Sequence, residues 1–329
     1  MPLQPAACYR IKVSRLMPKK VILAKNRAAI FSFLYHCFFI PSQPVFKRIT
    51  FSLLLLLASL GQTKPVSAQA LLPYTLPLDR AQLQADGESL ARDAAQLAQF
   101  QQFDEALARA QLAVQLLPSD PNVLALLGSL YLQASDPQPE QAIEALGKAR
   151  ELQPDNALVM FALGNAYFSQ DNFSQAASAI EAGLEIEPDN PNALFDLGNA
   201  YYMLKRYDRA VAQYEKAVDN DAKFWPAVNN IGLVMYESGD INGAIAQWQA
   251  ALDIAEAEET EPQLAIAVAQ YIHSAQDTTS SDSAIAALER DPRYADIEFL
   301  KDNLWGEQLI ADTERFFSTP PLRALLVQL

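Results

Sequence analysis

The sequence predicts an all-α fold, a solenoid of antiparallel helix pairs closed by a C-terminal helical cap. Three observations predict it. First, Ala157–Asn190 (ALVMFALGNAYFSQDNFSQAASAIEAGLEIEPDN) reads as two amphipathic helices around the turn Gln170-Asp171-Asn172. Met160, Leu163, Gly164 and Tyr167 keep helical phase in the first; Ala176, Ile180, Gly183 and Leu184 keep it in the second. That spacing lays one apolar face on each helix. Second, the unit recurs: Gly128, Gly164, Gly198 and Gly232 are spaced by 36, 34 and 34 residues. Tyr131, Tyr167, Tyr201 and Met235 follow these glycines at a fixed offset, and Ala142, Ala176, Ala210 and Ala244 recur behind them. Third, two helices this short cannot bury both apolar faces alone, so the copies must stack.

In chain order, the first element is a leader of different chemistry. Of 25 basic residues, ten precede residue 71, while all 39 acids follow Leu78, so the remainder carries a net −24. Lys47-Arg48 precede the apolar run Ile49–Leu60, and small residues follow at Val66-Ser67-Ala68 and Ala68-Gln69-Ala70. A basic stretch, a short apolar core and an A-x-A-like site form a secretory signal peptide. Residues 1–70 are therefore expected to be a targeting region, with the signal at about 45–70 and a mature N-terminus at Gln69 or Leu71. The alternative is an uncleaved membrane anchor, although twelve residues fall short of the roughly 20 that span a bilayer. Residues 1–44 are too long for an ordinary basic region. They read either as a bipartite presequence or as sequence upstream of a later start at Val45. Cys8 and Cys37 both lie there, so the expected mature chain has no cysteine and no disulfide framework.

Residues 71–86, opening with the two prolines of Leu71–Gln82, read as a linker. Five units follow over 87–258: Gly87–Asp120, Pro121–Asn156, Ala157–Asn190, Pro191–Phe224 and Trp225–Glu258. The first has Ala94 in place of the glycine, the second holds two extra residues in the turn Asp136–Glu140, and the fifth carries Trp248. Pro121 and Pro191 stand at first helical positions, where a missing N–H costs nothing. A degenerate sixth unit covers 259–294, with Leu264, Tyr271, Ala287 and Pro292 in register, Val268 replacing the glycine, and a polar turn at Asp277–Asp282. Residues 295–329 are expected to cap the array, through helical segments around Ala295–Asn303 and Gly306–Phe317 and the stripe Tyr294, Ile297, Leu300 and Leu304.

Glycine facing alanine lets the two helices of each unit approach closely. The phased glycine, tyrosine, alanine and proline positions resemble the tetratricopeptide repeat (TPR) family over roughly Gly87–Glu258 and more weakly to Tyr294. The resemblance implies a right-handed superhelix with a concave groove lined by first helices at the second, fifth, ninth and twelfth positions. Carried over, these positions give Phe161, Asn165 and Phe168, then Asn192, Phe195, Asn199 and Tyr202, then Asn229, Leu233 and Tyr236, with the blander Ala125 and Ser129 earlier. Asparagine can donate to and accept from a peptide backbone at once, and aromatic rings give rigid contact area. The expected ligand is another protein or a peptide. The fifth position is Phe161, Phe195 or Asn229 rather than lysine, which argues against the carboxylate clamp of chaperone-binding members.

The acidic balance argues against nucleic acid, whose phosphates need Lys and Arg. The sequence holds no H-E-x-x-H, P-loop or G-x-G-x-x-G, and its expected mature part has the single histidine His273. Asn172-Phe173-Ser174 matches the glycosylation sequon, a motif common by chance. The expectation is a non-catalytic scaffold or adaptor without cofactor or metal. The layout also resembles exported TPR proteins of cyanobacteria. That implies a periplasmic or thylakoid-lumen location and a part in assembling membrane or photosynthetic complexes. A membrane-anchored structural subunit, touching the bilayer only through an uncleaved N-terminal segment, is the alternative.

Overall fold

The computed structural model describes residues 79–329 apart from 256–258 and 274–277. The targeting region and the first half of the expected linker lie outside these residues. Among the described residues there are fifteen α-helices and no strand. No helix among them is long and apolar enough to cross a membrane.

The array runs α1 (Arg80–Gln99), α2 (Phe103–Leu116), α3 (Pro121–Gln133), α4 (Pro139–Leu152), α5 (Ala157–Phe168) and α6 (Phe173–Leu184). It continues with α7 (Pro191–Met203), α8 (Tyr207–Asn220), α9 (Trp225–Glu237), α10 (Ile241–Ala255), α11 (Thr260–His273) and α12 (Thr278–Arg290). Odd-numbered helices are the first helices of their units, and each packs on its own second helix and on the second helix of the unit before. Local chemistry explains the starts. Asp120 accepts from Asn122 and Val123 amides, Asn156 from Leu158 and Val159, and Asn190 from Ala193, so α3, α5 and α7 each begin on a side-chain cap. The turns within units one, three, four and five use one left-handed residue each, Gln101, Asp171, Lys205 and Gly239, at φ of 60°, 60°, 56° and 88°.

The glycine contact differs from the expected glycine–alanine facing. A Cβ on Gly128, Gly164, Gly198 or Gly232 would collide with Leu146, Ile180, Tyr214 or Trp248, the large residue one turn beyond each expected alanine. The glycine is thus the hole that admits the second helix's largest side chain. Tyr214 and Trp248 are fully buried in it.

Two boundaries move. Arg80–Asp86, expected within the linker, form the first two turns of α1. The heptad RAQLQAD contains no glycine or proline, so helix propagates back from the first repeat to Arg80. The polar turn expected at Asp277–Asp282 is also shorter, because Thr278–Asp282 already belong to α12.

The tail comprises a 3-10 turn (Pro292–Ala295), α13 (Ile297–Asp302), α14 (Glu307–Phe317) and α15 (Pro320–Leu326). Tyr294 and Leu300 are buried, and Ile297 and Leu304 pack against the same core. The 3-10 turn and α15 pack on α12, closing the end of the stack, whereas α14 packs on the first helices α9 and α11.

Candidate functional site

The expected binding strip divides where α14 begins to cover it. On α5 and α7, Asn165, Phe168, Phe195 and Asn199 are partly exposed and Asn192 is exposed. Five expected members are instead buried: Phe161, Tyr202, Asn229, Leu233 and Tyr236, at 8%, 6%, 2%, 1% and 0% exposure. The causes differ. Phe161 fills the space over Gly183 of its own second helix, where a Cβ would collide with its ring. Tyr202 lies beside Tyr207, with ring centroids 5.8 Å apart. Burial pushes its hydroxyl above the ordinary tyrosine value, with Glu237 adding to the shift. Asn229 and Tyr236 are engaged by the unit beyond and by the tail.

Tyr236 donates its hydroxyl to Asp312 Oδ2 of α14 at 2.8 Å, and its ring packs 5.8 Å from Trp248. Asn229 donates through Nδ2 to Glu261 Oε1 at 3.0 Å, and its carbonyl accepts from Trp248 Nε1 at 3.1 Å. Glu261 also accepts from Trp305 Nε1 and from the Tyr294 hydroxyl, both at 3.3 Å. One carboxylate therefore ties unit five to the tail. Burial pushes it up to about 7 despite these donors.

The asparagines form cross-links between units, which their expected role in ligand contact did not anticipate. Asn165 hydrogen-bonds the Asp196 side chain of the next unit, while burial drives that carboxyl up to about 7. Asn199 Oδ1 accepts from Asn230 Nδ2 at 2.9 Å and from the Tyr214 hydroxyl at 2.8 Å. Asn230 Oδ1 in turn accepts from Asn229 at 3.2 Å. Asn165/Asp196 and Asn199/Asn230 are both 31 residues apart. A polar residue at the ninth position of one unit thus meets one at the sixth position of the next, and that register is legible in the sequence.

Phe195 sits between Tyr214 and Phe224 at centroid distances of 5.7 and 5.4 Å, and Phe168 meets Phe173 edge-on at 5.1 Å. Both show part of their rings to solvent. Two exposed apolar residues of α5 and α7 were not expected members of the strip. Leu158, at the second position that Asn192 occupies in the next unit, is 66% exposed, and Met203 is 38% exposed. The repeat register alone would have found Leu158. His273 is exposed, with its ring centroid 6.2 Å from that of Tyr236 and the rings at 74°. Asn172 of the sequon is exposed at the start of α6.

A family model described as tetratricopeptide repeat matches residues 161–223, and a second, described as YpiA-like tetratricopeptide repeats, matches 138–182. No curated protein matches the chain. Among solved structures, one from work on Pseudomonas aeruginosa pilF aligns at TM-score 0.53 and 15% identity, over 68% of this chain and 97% of that one. A crystal structure of MamA aligns at TM-score 0.45 and 26% identity, over 50% of this chain and 94% of that one. A thermophilic TPR protein of Thermus thermophilus aligns at 0.46 and 20%, over 56% and 98%. The first of these likenesses supports the fold. The two family models place tetratricopeptide repeats on units two to four, and helix pairs on the same register run from α1 to α12.

Proposed function

We propose that the protein is a non-catalytic scaffold or adaptor that binds a segment of another protein along the first-helix face of α5 and α7. The observation that carries this reading is the mixed strip that stays accessible there. Leu158 and Asn192 are exposed at the starts of α5 and α7, Asn165, Phe168 and Phe195 are partly exposed further along, and Met203 is exposed at the end of α7. Aromatic edges held by neighbouring rings offer contact area at little conformational cost. The Asn192 amide can meet a peptide N–H and C=O together. Because Asn165 and Asn199 already hold the next unit, the ligand contacts fall chiefly to Leu158, Asn192 and the two phenylalanines.

The test compares partner capture by the intact chain with capture by Leu158→Asp and Asn192→Ala. Both positions are exposed, so folding should be unchanged while a partner recovered by the intact chain is lost. Undiminished recovery by the double variant would overturn the reading. Export to a periplasm or thylakoid lumen is proposed separately, from the basic and apolar pattern of residues 45–70. Sequencing the N-terminus of the native protein tests it, and a start before Ile49 would refute it.

A further inference from the structure

The 3-10 turn and α15 pack on α12 at the end of the helix stack, whereas the larger contacts of α14 are not with α12. Helix α14 lies instead across α9 and α11, on the face that the proposed function gives to ligands. We propose that this face is a seat for an amphipathic α-helix, with α14 as its displaceable resident, and that a partner helix of the same pattern competes for it. The inference rests on reading the first-helix face as the binding face.

The seat makes four kinds of contact with its occupant. Glu237, at the end of α9, accepts from the Gln308 amide at 3.1 Å and the Leu309 amide at 3.0 Å. It supplies the cap that α14 lacks, since Gly306 before the helix has no side chain to offer. A Cβ on Gly306 would collide with the Glu237 carboxylate, so the glycine is what lets the two approach. Tyr236 donates to Asp312, whose other oxygen accepts from Arg315 at 2.9 Å. Tyr271 of α11 stacks on Phe316 at 4.5 Å and 26° between planes. Leu309, Thr313 and Phe316, at helical steps of four and three, are fully buried along the contact. Lys205 pairs with Glu307 at 3.0 Å at the outer edge.

These contacts define the partner. It is a helix whose first amides are uncapped by its own sequence. One turn in it carries a leucine-like side chain, three residues later an acid, and four residues after that an aromatic ring. Leu309-x-x-Asp312-x-x-x-Phe316 is the template. Lys301, Trp305, Glu307, Ile310, Ala311 and Glu314 line a shallow concavity between α13 and the start of α14, with Glu307, Ala311 and Glu314 exposed.

The experiment uses the full chain and a labelled synthetic peptide of residues 306–319. Hydrogen exchange should show the α14 amides opening about tenfold or more faster than the central amides of α9 and α11. Asp312→Ala in the chain weakens the occupant and leaves the seat intact, so the native peptide should bind that chain about tenfold or more tighter than the unaltered one. A peptide carrying the same substitution should not bind. Exchange of α14 at the rate of α9 and α11, or equal peptide affinity for both chains, would make α14 a fixed part of the core and overturn the proposal. Since no outside partner enters this test, its failure would leave the reading of the α5–α7 strip standing.

Discussion

The first-helix face of this protein exists in two conditions, open along α5 and α7 and covered along α9 and α11. The repeat register treats them alike: Asn192 and Tyr202 on one, Asn229 and Tyr236 on the other, all at positions that line the groove in the family. Yet Asn192 is exposed while Asn229 is buried, and Tyr202 is buried beside Tyr207 of its own unit whereas Tyr236 is buried with its hydroxyl on Asp312 of α14. The difference teaches that register sets which way a side chain points, whereas what lies over it decides whether it binds, packs or cross-links. The fully buried side chains concentrate accordingly. The cluster joining Tyr236 and Trp248 to Leu309, Phe316 and Leu322 draws on both array and tail, while the cluster of units two and three is built around Leu146, Val159 and Leu163.

The largest expected effect tests whether tail and array form one cooperative block. Trp248 is fully buried and touches both the Gly232 backbone and Tyr236. Trp248→Ala should cost about 3–5 kcal/mol in chemical denaturation. It should also raise hydrogen exchange in α14, which Trp248 reaches through Tyr236. Ile180→Ala, at the same register in the open half, should cost about 2–5 kcal/mol and leave α14 protection unchanged. An α14 response to both variants, or to neither, would break the distinction between the halves.

The asparagines sharpen the same comparison at lower energy. Asn229→Ala removes one of the three donors to Glu261 and the donor to buried Asn230, and should destabilise by about 1–3 kcal/mol. Asn192→Ala should change stability by no more than about 0.5 kcal/mol while weakening a bound partner by about 1–3 kcal/mol. Equal stability loss in the two variants would show that Asn192 holds the open half together just as Asn229 holds the covered one.

Much of the fold was legible because it is written locally. Asp120, Asn156 and Asn190 cap helices two or three residues away, and glycine at a spacing of 34 or 36 residues marks units two to five. The covered half was not legible, since its key bond joins residues 76 apart across two units, and nothing in the repeat pattern says where a tail returns. Phe161 was misassigned for a nearer reason. Gly183, counted only as one more apolar-face residue, is the hole that its ring fills. The helical start at Arg80 was obscured by the repeat register, which begins at Gly87 although the preceding residues are good helix formers.

Two carboxyls, one in each half, make the comparison pH-dependent. Asp196 and Glu261 rise from ordinary values of 3.8 and 4.5 to about 7 in the folded chain, burial being the first cause for both. Between those values the folded state holds protons that the unfolded chain has released. Their stabilisation is therefore complete at low pH and is lost as pH climbs through 7, each contributing a slope of at most about 1.4 kcal/mol per pH unit. Denaturation midpoints should be higher at pH 5 than at pH 8. Asp196→Asn should remove the part of the slope due to the open half and Glu261→Gln the part due to the covered half. A midpoint that rises with pH in the unaltered chain would contradict both shifts.

The smallest expected effect lies in the turns. Gln101 and Lys205 both adopt left-handed backbone where unit five uses Gly239. A non-glycine residue there costs roughly 1–2 kcal/mol, and replacing it by glycine returns roughly 0.5–1 kcal/mol of that to the freer unfolded chain. Gln101→Gly should therefore stabilise by a few tenths to about 1 kcal/mol. Lys205→Gly relieves the same backbone but removes the ion pair with Glu307 of α14, an exposed contact at 68% and 87% side-chain exposure. Such pairs are worth about 0–1 kcal/mol, so its gain should be smaller than that of Gln101→Gly. The gap between the two variants in denaturation at low salt measures that outer tether of the tail, and it should close as salt screens the pair. If Lys205→Gly gains as much as Gln101→Gly at low salt, the tether contributes nothing. Attachment of α14 then rests on Glu237, Tyr236 and the buried stripe alone.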